Sequence, residues 1–326
     1  MKYRQLGNTG LLVSEIALGC SGYWGNRRFP ERKAIAVVAE AFERGVNFFD
    51  TGHNYCNFNA EPRLGRALQG LLDGGGRSRL VISTKAGTSV PSASIVPRER
   101  SKQKDFSPDY IERACTASIT NLGCGYLDIF QLHGVTEAEI TDQLLDRLRS
   151  MKERGLYRYL GINTHRYADM QFAAKHPDIF DMVLIDFNVL QLDREAAIGD
   201  LHRAGLGIAA GTVLAQGHLI KGKIGTVRSA ADIWYLARAL LKPAGRRLAG
   251  SSVAMRDALA KIAEMTPAQA AFSYILENPA IASCVFGTTS LANLNEVLEA
   301  PDKALSDESR RSIRDTFEAL RTSLSE

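Results

Sequence analysis

Residues 47–85 read NFFDTGHNYCNFNAEPRLGRALQGLLDGGGRSRLVISTK. A short apolar run, Asn47–Asp50, ends on an aspartate. An amphipathic stretch, Glu61–Leu72, follows, and a second apolar run, Leu80–Thr84, ends beside Lys85. Apolar runs alternating with helix-length segments are the pattern of βα units around a parallel sheet. The same alternation continues in both directions and gives eight runs: Glu15–Gly19, Asn47–Asp50, Leu80–Thr84, Leu127–Leu132, Tyr159–Ile162, Met182–Phe187, Gly207–Ala210 and Ala282–Phe286. Amphipathic crossovers between them include Glu31–Arg44, Pro108–Leu122, Glu137–Arg154 and Asp193–Ala204. Eight such units favour an α/β fold in which a single (β/α)8 TIM barrel occupies residues 1–326 as one domain, although the count alone also fits an open sheet.

Helix starts carry their own chemistry. Ser107–Pro108–Asp109 offers a capping side chain, a first-turn proline and an acid where the helix dipole favours it, and Thr266–Pro267 repeats the device. Two regions exceed a minimal barrel. Tyr3–Leu6 and Leu11–Ser14, around Asn8–Thr9–Gly10, read as an N-terminal β-hairpin cap that plugs the barrel floor. The extended loop after strand 7, Gly217–Met255, contains an amphipathic piece, Ala231–Leu241, and then a Gly/Arg/Ser-rich tail.

Bulk properties exclude several function classes. The chain has 326 residues, 45% of them apolar, and its net charge of +4 arises from 40 basic and 36 acidic residues spread along its length. No basic stripe marks a nucleic-acid groove. The apolar runs fall far short of the ~20 residues that span a bilayer, and the first residues lack the apolar core of a signal peptide. A soluble, cytoplasmic protein without nucleic-acid or membrane partners is expected. The five cysteines, Cys20, Cys56, Cys115, Cys124 and Cys284, form no CxxC pair and are expected as reduced thiols, with no metal site.

In a (β/α)8 barrel reactive groups stand where strands end at the C-terminal rim. Asp50, Lys85 and His133 end three runs consecutive in the chain, and Tyr55 lies five residues beyond Asp50. Lys85 as an ammonium lowers the pKa of Tyr55, Asp50 keeps Lys85 charged and oriented, and His133 donates toward a carbonyl oxygen. Each residue also has a plainer role as a turn, packing or salt-bridge residue, and Lys85 alone suits a Schiff-base nucleophile in an aldolase-like barrel.

At these residues the chain resembles the aldo-keto reductases, over nearly its whole length. Phe49–Asp50–Thr51–Gly52–His53–Asn54–Tyr55 is similar to the family's Asp-Thr-Ala-x-x-Tyr signature, and Glu61–Pro62–Arg63–Leu64–Gly65–Arg66–Ala67–Leu68 to its Glu-x-x-Leu-Gly-x-Ala-Leu helix. Asp105–Pro108, Leu127–His133 and Leu160–Ile162 match in order and spacing. The resemblance implies a catalytic tetrad of Asp50, Tyr55, Lys85 and His133, with hydride from a bound nicotinamide. Asp50, Asn163 and Thr164 are then expected at its nicotinamide end, and Gly211, Thr212, Leu214, Gln216 and Gly217 in the pyrophosphate loop. Gly287, Thr288 and Thr289, with Ser290, are expected at the adenosine phosphate, where helix amides suit an anion, and Asn293 beside it.

Several positions depart from the family pattern. Leu184 replaces a common Gln and Gly211 a common aromatic, both at the nicotinamide. Asn293 stands where many members carry the Arg that pairs with a 2′-phosphate, and Val297 where an Asn often holds the adenine. NADP(H) is the family's implied cofactor, and NAD(H) stays open because no Arg stands at Asn293. Cys56–Asn57 replaces a Gly-rich pair after Tyr55, and Ala60 a Ser. His53 and His165 show no ligand spacing for a metal.

The substrate pocket is expected at Tyr55 and His133, walled by Tyr23 and Trp24 with parts of Ala86–Ser101 and Gly217–Met255. Arg98, Arg100, Lys102 and Lys104 read as a solvated face rather than an acid-binding cluster. The implied activity is NAD(P)H-dependent reduction of a small aldehyde or ketone, sugar-derived carbonyls among the candidates, to an alcohol. The alternative is a regulatory module of the same fold that binds cofactor with little turnover. The oligomeric state stays open.

Overall fold

The chain begins with an antiparallel hairpin, β1 (Tyr3–Gln5) and β2 (Leu12–Ser14), joined through a 3-10 turn at Gly7–Thr9. Eight strands follow: β3 (Ile16–Gly19), β4 (Phe48–Asp50), β5 (Val81–Ala86), β8 (Leu127–His133), β9 (Tyr157–Thr164), β10 (Met182–Asp186), β11 (Gly207–Gly211) and β12 (Ser283–Phe286). Between β5 and β8 lies a small antiparallel pair, β6 (Thr88–Ser89) and β7 (Gln103–Lys104). The computed structural model describes residues 1–89, 103–220 and 243–323.

The eight strands pair in parallel, in chain order, and close into a barrel through β12 and β3, where Cys284 faces Ile16 in register. The expected (β/α)8 barrel is therefore the observed fold. Around it run α1 (Glu31–Glu43), α2 (Ala60–Asp73), α3 (Pro108–Leu122), α4 (Asp142–Glu153), α5 (Tyr167–Lys175), α6 (Glu195–Arg203), α7 (Pro243–Ala260), α8 (Pro267–Leu276), α9 (Leu291–Leu298) and α10 (Asp307–Ser323). None of the described helices is long and apolar enough to cross a membrane.

The period of two along a strand sets what fills the barrel. Leu6, Leu11 and Val13 of the hairpin form one buried cluster with Ala17, Phe48, Val81, Ile129, Met182, Leu184, Ala209 and Ala282 from the strands. The hairpin does plug the floor. Two residues further along the same strand faces, Phe48 leads to Asp50, Val81 to Ser83 and then Lys85, and Ile129 to Gln131 and then His133. An apolar floor thus carries a polar layer directly above it.

Four local readings change. Glu137–Arg154 breaks into a 3-10 turn, Glu137–Glu139, and α4, because Thr141 takes the N-cap and accepts from Leu144 N at 3.2 Å. Asp193–Ala204 likewise splits into a 3-10 turn, Leu192–Arg194, and α6. Ser107 occupies the N-cap of α3 without a capping hydrogen bond, and its hydroxyl donates to Asp105 Oδ1 at 2.7 Å. The tail of the long loop after β11 is helical as α7. Thr266 does cap α8, in a reciprocal box with Gln269. Ala231–Leu241 falls outside the described residues, as do Arg98, Arg100 and Lys102.

Candidate active site

Neighbouring strands β4, β5 and β8 bring three of the expected residues to one patch of the rim. Lys85 is 1% exposed, and its ammonium donates to Asp50 Oδ2 at 2.6 Å and to Thr51 O at 2.8 Å. Burial pulls the Lys85 pKa down. The Asp50 charge, followed by Tyr55 and the hydrogen bonds to both, outweighs it and leaves Lys85 above its ordinary value. Tyr55 reaches over from the loop after β4. Lys85 Nζ sits 5.3 Å from its ring centroid, and the ring meets His133 edge-on at 5.7 Å between centroids.

The loop that delivers Tyr55 is held in an uncommon backbone. Cys56, Asn57 and Phe58 all have positive φ, at 55°, 53° and 61°, where the family's Gly-rich pair would sit without a Cβ penalty. Their conformation is secured from outside: Cys56 Sγ donates to Gly22 O at 3.0 Å and Asn59 Nδ2 to Gly25 O at 2.7 Å. The Gly22–Gly25 segment includes the expected pocket residues Tyr23 and Trp24. Trp24 is 1% exposed, and its indole donates to Ala34 O of α1 at 3.1 Å, bracing the loop from behind. Tyr23, also buried, packs against Phe29.

Behind these four residues lies a polar cluster that the sequence reading did not single out. Glu61 at the start of α2 is buried and accepts from Thr84 at 2.6 Å and Asn121 at 3.1 Å, with His53 Nδ1 at 3.3 Å. Burial raises its pKa, but the bonds to His53, Ser118 and Thr84 prevail and hold the carboxyl below its usual value. His53 is thus taken up by Glu61, and His165 by Asp186 Oδ2 at 2.6 Å. Arg63 is equally buried and donates to Trp24 O at 2.6 Å and Asn26 O at 3.1 Å, fixing the pocket loop.

Gln131 was also missed. Its amide donates to Asp50 Oδ1 at 3.0 Å and to Ser83 Oγ at 2.6 Å. The available signal was its position two residues before His133, which places both on one face of β8.

The expected cofactor residues begin beside His133, which stands in register with Asn163, and resume around the rim on β11 and β12. Asn163 and Thr164 end β9; Asn163 Nδ2 donates to Leu184 O at 3.0 Å, and Thr164 Oγ1 to Asp169 Oδ2 at 2.8 Å. Gly211 ends β11 and opens a loop in which Thr212, Ala215, Gln216 and Gly217 all have positive φ; half-buried Leu214 lies between them. On the neighbouring strand, Gly287, Thr288 and Thr289 lead into α9. Thr288 Oγ1 accepts from Ser290 N at 3.1 Å, and Ser290 caps the helix by accepting from Asn293 N at 3.3 Å. Leu184 packs down into the floor cluster and Val297 into the outer core.

A match to the family model described as "Aldo/keto reductase family" extends over residues 15–317. The chain belongs to the aldo/keto reductase family. Among curated relatives, "Uncharacterized oxidoreductase YqkF" of Bacillus subtilis (strain 168) is 26% identical over 316 residues, covering 96% of each chain. "Probable aldo-keto reductase 1" of Glycine max is 28% identical, over 97% of this chain and 88% of that one. Among solved structures, aldo-keto reductase AKR11C1 from Bacillus halodurans in its holo form superposes with a TM-score of 0.76 at 24% identity, covering 97% of this chain and 96% of that one, a likeness of fold. As a member of the aldo-keto reductases the chain is an oxidoreductase of carbonyl compounds.

Two of the buried thiols of this aldo-keto reductase are held protonated by their surroundings. Burial, followed by the Asp50 charge, pushes Cys20 well above its ordinary pKa, and burial raises Cys124 to about 11. A concavity of about 500 Å³ lined by Tyr126, Tyr157 and Arg158 lies where β8 and β9 begin, away from the tetrad.

Proposed function

We propose that this protein is an NAD(P)H-dependent reductase of a small aldehyde or ketone, with Tyr55 as proton donor. One observation carries the reading: a buried, charged Lys85 held between Asp50 and Tyr55, with the His133 ring against the same tyrosine. When bound, the nicotinamide supplies the hydride. Tyr55 gives its phenolic proton to the carbonyl oxygen as charge builds there, and the adjacent ammonium makes that proton available by favouring the phenolate. His133, at the same mouth, orients the carbonyl and stabilises the developing alkoxide. The raised pKa of Lys85 runs against a Schiff-base role, which needs a neutral amine at working pH.

The residues present fit an extended dinucleotide along the rim. In this reading Asn163 and Thr164 would hold the nicotinamide end, and the Gly211–Gly217 loop, from the strand beside β12, the pyrophosphate. Thr288, Thr289 and the capped start of α9 would meet the adenosine phosphate, where helix amides suit an anion. Asn293 offers no cation to a 2′-phosphate, so NADPH and NADH are both admitted, with NADPH the family's usual choice.

The test is turnover of an aldehyde and ketone panel with each nucleotide, beside fluorescence titration of nucleotide binding. Consumption of either nucleotide that depends on the carbonyl supports the proposal. Binding with no consumption across the panel replaces it with the regulatory module, and a borohydride-trapped adduct on Lys85 without nucleotide replaces it with the aldolase-like reading.

A further inference from the structure

The charged pair beneath Tyr55 has a third member. Asp50 Oδ2 is occupied by Lys85 at 2.6 Å, and its other oxygen, Oδ1, receives Gln131 Nε2 at 3.0 Å. The same amide nitrogen reaches Ser83 Oγ at 2.6 Å, so both of its hydrogens are directed at acceptors across the barrel interior. Gln131 is fully buried, and its Oε1 is buried without a hydrogen-bond partner. Turning the amide over would set Oε1 against a carboxylate oxygen, so the observed orientation is the attractive one. An orphaned buried acceptor is destabilising, a penalty that a plain apolar packing residue would avoid.

Room for this side chain is provided across the sheet. Gly161 of β9 stands directly opposite Gln131 in register. A Cβ on Gly161 would come within 2.9 Å of Gln131 Cγ and 2.7 Å of Met182 Sδ. Its φ lies outside the left-handed region, so a side chain is excluded by the space its neighbours need. A donor-bearing side chain on β8 and the missing Cβ on β9 form one device.

We propose that Gln131 is a positioning residue for the proton donor, locking the Asp50 carboxylate so that it presents Lys85 to Tyr55, and that Gly161 is the notch that lets Gln131 reach it. The inference rests on Tyr55 acting as the acid. Asp50 gripped at one oxygen only is free to rotate about its terminal torsion, and Lys85, itself held by Asp50 and Thr51 O, shifts with it. A less well placed ammonium favours the Tyr55 phenolate less, so the phenol ionises at higher pH and is a weaker acid at neutral pH.

The experiment compares the full-length wild type with Gln131→Met, which keeps the volume and removes the donors, and with Gln131→Glu. Tyr55 ionisation is followed by near-ultraviolet difference titration against Tyr55→Phe, and kcat and KM for carbonyl reduction are followed across pH. In Gln131→Met the Tyr55 ionisation should move up by roughly half a unit or more and kcat should fall about tenfold, with KM changed less than twofold. In Gln131→Glu the new carboxyl is expected to repel Asp50 when ionised and to donate to it when protonated, so kcat should recover as pH falls. A packing role alone would show no such recovery. If Gln131→Met fails to fold, Gly161→Ala and Gln131→Glu read the same tyrosine. An unchanged Tyr55 ionisation together with kcat within twofold of wild type in folded variants overturns the proposal. Because the phenol titration needs no turnover, it stays informative if the reductase reading itself fails, which unchanged turnover in Tyr55→Phe would reveal.

Discussion

At the scale of single residues the site is a chain of charge control. Asp50 compensates the burial of Lys85, and Lys85 is aimed at Tyr55. Tyr55→Phe removes the proton and little else, so kcat should drop by about 10²–10⁴ while the affinity for nucleotide, read by fluorescence titration, stays within a few fold. Turnover at the wild-type rate would remove Tyr55 from the mechanism. The four residues proposed for catalysis were visible in the sequence because each either ends a strand or follows one at short spacing. Gln131 was not, because a glutamine inside an apolar run declares neither its partner nor the glycine opposite. Trp24 was half visible: an aromatic in a rim loop suits a pocket wall, and the helix behind it adds a backbone carbonyl for its indole to serve.

At the scale of elements, the helix that follows Tyr55 is sewn to the barrel at its first turn. Glu61 of α2 gathers Thr84 from β5, Asn121 from α3 and His53 from the Tyr55 loop. Its folded pKa lies below the unfolded value of about 4.3, so its contribution is fully present above that value and is lost as pH falls through the folded pKa. Glu61→Gln should therefore lower stability near neutral pH by about 3 kcal/mol in urea unfolding and flatten the acid arm of the stability profile. An acid arm identical to wild type would assign that loss of stability to other carboxylates. A few residues on, a Cβ on Gly65 would lie 2.4 Å from Asn121 O, a backbone atom with little freedom to retreat. Gly65→Ala should destabilise despite the better helix propensity of alanine, and a gain in Tm would contradict the tight crossing of α2 and α3. Element order and type were readable from periodicity, whereas boundaries such as Thr141 and the silent cap at Ser107 depend on which side-chain hydrogen bond wins locally.

At the scale of the whole molecule, the barrel is a stack of layers, and the floor is supplied by residues outside it. Arg4 ties the hairpin to the far end of the chain, donating to Leu276 O at 2.7 Å, to Ile281 O at 2.8 Å and to Glu15 at 2.6 Å. Leu6, fully buried, fills the floor beneath Phe48 and Val81, which lead on to Asp50 and Ser83. That the hairpin is a plug followed from the sequence, since an open parallel barrel has an apolar end to cover. Which side chain seals it depends on how the hairpin turns back at Gly7–Thr9. Leu6→Ala should lower unfolding stability by about 2–5 kcal/mol, read as a lower urea midpoint at unchanged slope. Asp50 and Lys85 are held by each other and by Gln131 and Thr51 above the floor, so kcat of the folded fraction should stay within about twofold of wild type. A large fall in kcat with stability intact would instead mean that the floor sets the register of β4 and β5, and that the two layers are mechanically one.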